Sequence, residues 1–276
     1  MTQGAVDILI PVGPNDRELA EICARAARQF VTGARNIYIV SAVDPGVPGT
    51  RFFDEAKLPF SIADIRQTLG IGDRAGWYFQ QLVKFYFPFV NPDCSERYLV
   101  IDADTVFLRP CNFIEDGRVL FNFGFEFHPP YFEHMANLHP SLQKGFIHSG
   151  ITHCMMFTRS WLLELMGMVQ NAHKRGPFWK IFLDCVPPGS RGESGASEYE
   201  TYFNFCLRWH PNEIVIKRLR WGNVVDLEGI QPDRADYISL HWHKRSPDLT
   251  RETLIEKVFG PRTDALPDAG HGAVPG

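Results

Sequence analysis

The opening of the chain constrains the fold more than any other stretch. Asp7-Ile-Leu-Ile-Pro-Val12 is a short apolar run that reads as a buried strand, and a Gly-Pro-Asn-Asp turn ends it. Leu19, Ile22, Cys23, Ala26 and Phe30 then recur on one helical face with Arg and Glu opposite, and Asn36-Ile-Tyr-Ile-Val-Ser41 makes a second apolar run. Strand, amphipathic helix and strand in this order predict a parallel pair with a right-handed crossover. The turn after the first strand carries no Gly-x-Gly-x-x-Gly, and no Walker A loop appears in the chain. A dinucleotide cofactor and P-loop chemistry are therefore not expected.

The rest of the pattern continues the α/β theme. Helices are expected near 76–87, 159–174, 197–208 and 250–259, the last stopped by Gly260-Pro261. Strands are expected near 98–101, 119–127, 151–157, 213–221 and 237–243. Residues 128–147 read as an irregular excursion and 187–195 as a mobile loop by their Gly, Pro and Ser content. The predicted fold class is α/β, with a Rossmann-like, mixed but mainly parallel central sheet flanked by helices. Residues 1–260 are expected to form one domain and 261–276 a disordered tail. A net charge of −4 gives no global field for nucleic acid. The six cysteines form no Cys-x-x-Cys pair and read as reduced core thiols, which with the lack of a signal-peptide pattern predicts a cytoplasmic location. No apolar run is long enough to span a bilayer, which leaves peripheral membrane association open.

The chemistry concentrates in Tyr98-Leu-Val-Ile-Asp-Ala-Asp-Thr-Val-Phe-Leu-Arg-Pro110. A buried strand stops at Asp102 and Asp104, two carboxylates at the carboxyl edge of a sheet, where open α/β folds place ligands. Either they form a polar turn, or they hold a hard divalent cation and the phosphates it brings. Upstream, Trp77, Gln81 and Lys84 share a helical face in a very apolar helix that begins near Arg74. Arg74 and Lys84 suit a diphosphate or sugar acid and Gln81 a base or sugar hydroxyl, unless the stripe is a solvated face. Gly150, in His148-Ser-Gly-Ile151, is either a turn glycine or a point where backbone meets ligand. Ser197 reads as an N-cap with Glu198 and Glu200 in the first turn. Those acids either complement the helix dipole or serve as an acceptor-side base or sugar-hydroxyl ligand beside the loop. In Tyr237-Ile-Ser-Leu-His-Trp-His243, His241 and His243 fall on one face of a strand, and one of them could complete a metal site with the aspartates. They are about 6–7 Å apart along the strand, so one ion would take only one of them.

Together these segments resemble the GT-A glycosyltransferases: an Ile-Pro-Val first strand, a strand ending in Asp-Ala-Asp, a His-Ser-Gly-Ile strand start where the family has Asn-Ala-Gly-Val, and a late-strand histidine. Arg74–Lys84 with Ser197-Glu-Tyr-Glu200 looks like a less characterised bacterial branch. The resemblance implies a GT-A fold, a nucleotide diphosphate sugar as donor, Mn²⁺ or Mg²⁺ as cofactor, and a glycan, lipid or protein acceptor. It assigns direct metal binding to Asp104, metal or ribose binding to Asp102, and the third protein ligand to His241, with His243 as competitor. Pro11, Val12 and Ala103 would lie on the donor, and His148 departs from the family pattern. Two other readings stay open. Asp102-Ala-Asp-Thr-Val106 also fits a haloacid-dehalogenase phosphatase with Asp102 as nucleophile, and a GT-A-like domain can bind sugars without catalysis.

Overall fold

A computed structural model describes residues 5–241 and 244–260, so the predicted tail at 261–276 and His243 lie outside the described residues. In chain order the elements are β1 (Val6–Pro11), α1 (Arg17–Phe30), β2 (Ala34–Ser41), β3 (Arg51–Asp54), α2 (Ile62–Leu69), α3 (Ala75–Val90), β4 (Arg97–Ile101) and β5 (Thr105–Phe107). They continue with β6 (Ile114–Glu115), β7 (Arg118–Phe121), α4 (Pro129–Leu138), β8 (Cys154–Thr158), α5 (Arg159–His173), α6 (Phe178–Asp184) and α7 (Glu198–Trp209). The last are β9 (Ile214–Ile216), β10 (Trp221–Asn223), β11 (Tyr237–Ser239) and α8 (Arg251–Phe259).

The central sheet runs β3-β2-β1-β4-β8, with the first four strands parallel and β8 antiparallel to β4. Every residue of β1 and β8 is buried, as expected of strands covered on both faces. The predicted β1–α1–β2 unit is parallel, and α3 packs on β1 and on α2, α5 and α7. The strand order reverses at β1 and β4, because the chain leaves β1 towards β2 and returns through α2 and α3 to the other side. Such a reversal opens a crevice beyond the carboxyl ends of the two strands. Residues 12–16 after β1 and 102–104 after β4 flank that crevice.

Two three-stranded sheets extend the molecule. In one, β11 lies between β10, its parallel neighbour, and β5, its antiparallel neighbour; in the other, β7 lies between β6 and β9. Helix α3 runs through Pro88 to Val90, beyond the predicted end. Pro88 has no N–H for the Lys84 carbonyl one turn earlier, and the Tyr98 hydroxyl donates to that carbonyl instead, at 2.8 Å. The excursion predicted at 128–147 contains α4. Its two prolines occupy the first helical positions, where no intrahelical N–H is needed, so residues that read as breakers start the helix. All six cysteines are buried and none is in a disulfide.

Candidate functional site

Register brings the site together. In the β4–β8 pairing Ile101 lies opposite Cys154, so His153 follows as the neighbour of Asp102, whose N–H donates to the His153 carbonyl at 2.9 Å. The His153 side chain then meets Asp102, Nδ1 to Oδ2 at 3.2 Å. The β5–β11 pairing sets Ser239 opposite Thr105. Leu240 N–H therefore donates to the Asp104 carbonyl at 2.9 Å, and His241 Nδ1 reaches Asp104 Oδ2 at 3.1 Å. The two imidazoles meet edge to face, with ring centroids 5.0 Å apart.

Asp102, Asp104 and His153 each offer a ligand atom within 4.8 Å of the others, and this trio could hold a metal ion. The donor set fits one. Asp104 is only 13% exposed at its side chain, and its Oδ1 is buried without a hydrogen-bond partner among the described residues. An orphaned buried carboxylate oxygen is costly unless something occupies it. His153 also adopts φ 61°, a left-handed conformation that costs a non-glycine residue about 1–3 kcal/mol and gathers at functional sites. Burial pushes its imidazole down, but the hydrogen bond and charge of Asp102, with the charge of Asp104, together outweigh this and hold it above the ordinary histidine value.

A buried ion-pair network continues from Asp102 into the protein. Lys84, 1% exposed, places Nζ 2.5 Å from both Asp102 Oδ1 and Glu198 Oε1. The Tyr199 hydroxyl donates to the same Asp102 oxygen at 3.0 Å, and its ring lies 4.2 Å from the ammonium. Burial pushes the Asp102 carboxyl up, yet Lys84 and then His153 bring it well below the carboxylate range. Glu198, 4% exposed, stays raised because burial outweighs Lys84. Gln81 accepts from the Glu198 N–H at 3.1 Å, and Ser197 caps α7 by accepting from Glu200 N–H at 3.2 Å.

The other predicted residues are placed as follows. Gln81 and Lys84 face the protein interior rather than solvent. Glu198 is buried against Lys84 rather than on an open acceptor face. Glu200 accepts from Ser149 Oγ at 2.6 Å and Gly150 N–H at 2.9 Å, so it fixes the segment that leads to His153. Gly150 permits close approach to protein: a Cβ there would lie 2.4 Å from Phe203 Cβ. Pro11, Val12 and Ala103 are buried, and Val12 N–H donates to Val40 at 2.8 Å; the exposed backbone beyond β1 begins at Gly13. Arg74 lies 4.5 Å over the Trp77 ring and donates to Ser194 Oγ at 2.6 Å. With Tyr78 on Ser190 and Gly195, and His128 on the Ser194 carbonyl, it ties down the 187–195 segment that composition presents as mobile. His148 stacks on Phe123, with centroids 4.6 Å apart.

His153 and Tyr199 were absent from the sequence-level candidates. The sequence signal for His153 is its place just before the apolar run 154–157, but only the antiparallel register assigns it to Asp102. Tyr199 sits between the two glutamates, and only the packing of α7 on α3 brings its hydroxyl to Asp102.

No protein-family model and no curated protein matches the chain. Among solved structures, the chain is similar to the apo form of mouse xyloside xylosyltransferase 1, at 12% identity and a TM-score of 0.47, over 88% of this chain and 100% of that one. A likeness this remote carries no weight for what the site does.

Proposed function

We propose that this chain transfers a sugar from a nucleotide diphosphate sugar to an acceptor, with Mn²⁺ or Mg²⁺ held by Asp102, Asp104 and His153. The observation that carries the reading is the buried, unpartnered Asp104 Oδ1 within that trio, set at the strand-order reversal of a mainly parallel sheet. Carboxylates suit Mg²⁺ and Mn²⁺, and the imidazole leans towards a transition metal. The Asp-Ala-Asp and Ile-Pro-Val resemblance supports the same reading.

The chain's own residues have separable tasks. Lys84 and Tyr199 hold one Asp102 oxygen and so fix the rotamer of that carboxylate. Asp104 presents Oδ1. Glu198 balances Lys84 and acts as a positioning residue. Glu200 anchors the strand start that delivers His153. The exposed backbone at 13–15, across the crevice, is the surface offered to a nucleotide. A bound divalent cation would stabilise the charge that grows on the departing diphosphate, by several kcal/mol. The segment at 190–195, tied to the start of α3 by Arg74 and Tyr78, would limit water if it lies over the bound donor, which protects an activated sugar from hydrolysis.

The phosphatase alternative lacks comparable support. The Asp-Ala-Asp motif follows the fourth strand of the chain, whereas that fold usually carries it on its first strand. The test is release of free nucleotide from a panel of nucleotide sugars, with and without Mn²⁺. Cation-dependent release from one donor, lost in Asp104→Asn, supports transfer chemistry. Turnover of phosphomonoesters that needs Asp102, with no nucleotide sugar consumed, would overturn it.

A further inference from the structure

Three large apolar side chains stand exposed on neighbouring segments: Phe125 (65%), Phe127 (67%) and Ile147 (82%). A backbone bridge between Gly124 and Ser149 lays these segments side by side, and the Phe125 ring meets His148 edge-on at 5.1 Å. The Phe127 ring leans on Phe132 at 5.1 Å. Soluble surfaces scatter such residues singly, whereas a contiguous patch with a polar rim marks an interaction surface.

The patch joins a basic groove. The Arg218 guanidinium lies 5.3 Å over the Phe125 ring and also lines a groove of about 390 Å³ between β10, β11 and the 229–235 loop. Arg218 and Arg220, just before β10, line it together with Trp221, Gly222 and Val224 and with Ile238 of β11. Arg234 lies across the groove, whose lining holds three arginines and no carboxylate although the chain carries a net charge of −4. Arg220 pairs with Asp236 at 3.1 Å; among the described residues neither Arg218 nor Arg234 has a carboxylate partner. A soluble polyanion would fill the groove and leave the aromatic patch bare. A surface with apolar depth and anionic heads uses both, since arginine pairs bidentately with phosphate and exposed aromatics enter the head-group layer. No helix among the described residues is long and apolar enough to cross a membrane.

We propose that this face docks on a lipid surface bearing anionic head groups, with Phe125, Phe127 and Ile147 entering the interface and Arg218 and Arg234 pairing with phosphates. The proposal stands independently of sugar transfer. The test is co-sedimentation of the full chain with vesicles of phosphatidylcholine alone or mixed with phosphatidylglycerol, at low and high salt. Binding should need phosphatidylglycerol and weaken with salt. Arg218→Gln with Arg234→Gln should weaken it about 25-fold, at about fivefold per charge. Phe125→Ser with Phe127→Ser should weaken it about tenfold or more, with thermal midpoint and Mn²⁺ affinity unchanged. Absence of vesicle binding, or binding indifferent to the phenylalanines, would overturn the proposal. So would retention on heparin without retention on vesicles, which assigns the groove to a soluble polyanion, or a dimer that the Phe→Ser pair dissociates, which assigns the patch to a second copy.

Discussion

Lys84→Met isolates the electrostatics of the site. Methionine keeps most of the side-chain volume, so the loss is charge and hydrogen bonds rather than packing. The wild-type ammonium contacts two carboxylates at 2.5 Å each, at 1% exposure. Without it, the buried Glu198 and the largely buried Asp102 carboxylates face each other with no cation between them. Removing one member of a buried ion pair costs about 3–5 kcal/mol, because the partner is left uncompensated. For a domain of this size that is a fall of roughly 6–20 °C in melting temperature. Two further readings make the cause specific. Glu198→Gln added to Lys84→Met should recover more than half the loss, since one of the stranded charges is gone. Mn²⁺ should stabilise the single variant by mass action, through the negative charge newly released at Asp102. Urea and thermal denaturation of the two variants, with and without Mn²⁺, supply the measurement. A loss below about 1 kcal/mol would put the pair in the class of exposed ion pairs. That result, or a double variant no better than the single, would refute the reasoning.

Three other predictions test the surroundings. Gly150→Ala should cost about 1–3 kcal/mol by overpacking, because its Cβ would fall 2.4 Å from Phe203 Cβ; an unshifted urea midpoint would deny that contact. Burial pushes the His134 imidazole down to about 4 while Nε2 bonds the Phe182 carbonyl at 2.8 Å. The unfolded chain therefore binds the extra proton between about 6.5 and about 4, and stability falls as pH drops through that window, by on the order of 3 kcal/mol in full. His134→Leu should flatten this acid limb, and a limb of unchanged slope would place its origin elsewhere. Burial opposes the Asp7 charge, but Arg35 and the Ser95 and Asn36 amides hold its carboxyl below the ordinary value. Its contribution is present above the unfolded carboxylate value and is lost as pH falls through the folded one. Asp7→Asn should cost about 1.5–3 kcal/mol at neutral pH, with a gap that narrows in acid; a gap independent of pH would contradict the assignment.

Local signals carried the central sheet. Apolar runs of strand length marked β1, β2 and β4, and the abrupt change to Asp102-Ala-Asp104 marked the carboxyl edge. Short elements were not legible. Strand β3 has only four residues and its Arg51-Phe-Phe-Asp54 has no clear alternation, and α6 is a seven-residue helix in an aromatic stretch. The site was legible where chemistry is local in sequence and hidden where register decides. His153 joins Asp102 only because β8 is antiparallel to β4, and a one-residue slip would turn its side chain away. Lys84 had no visible partner because its carboxylates lie 18 and 114 positions along the chain. The sequence leaves Gly150 open between a turn glycine and a point of ligand approach; its close neighbour is Phe203, which only the docking of α7 reveals. The exposed aromatics at 125–127 were indistinguishable from core residues by composition.

The central claim is that Asp102, Asp104 and His153 form a divalent-cation site serving a nucleotide diphosphate. Isothermal titration of Mn²⁺, alone and with UDP or GDP, into the wild type and into Asp104→Asn, His153→Ala and His241→Ala tests it most directly. Mn²⁺ binding should tighten with one nucleotide diphosphate, be abolished in Asp104→Asn, and be weakened more in His153→Ala than in His241→Ala, with all four proteins folded by circular dichroism. Equal Mn²⁺ affinity in the wild type and Asp104→Asn would contradict it.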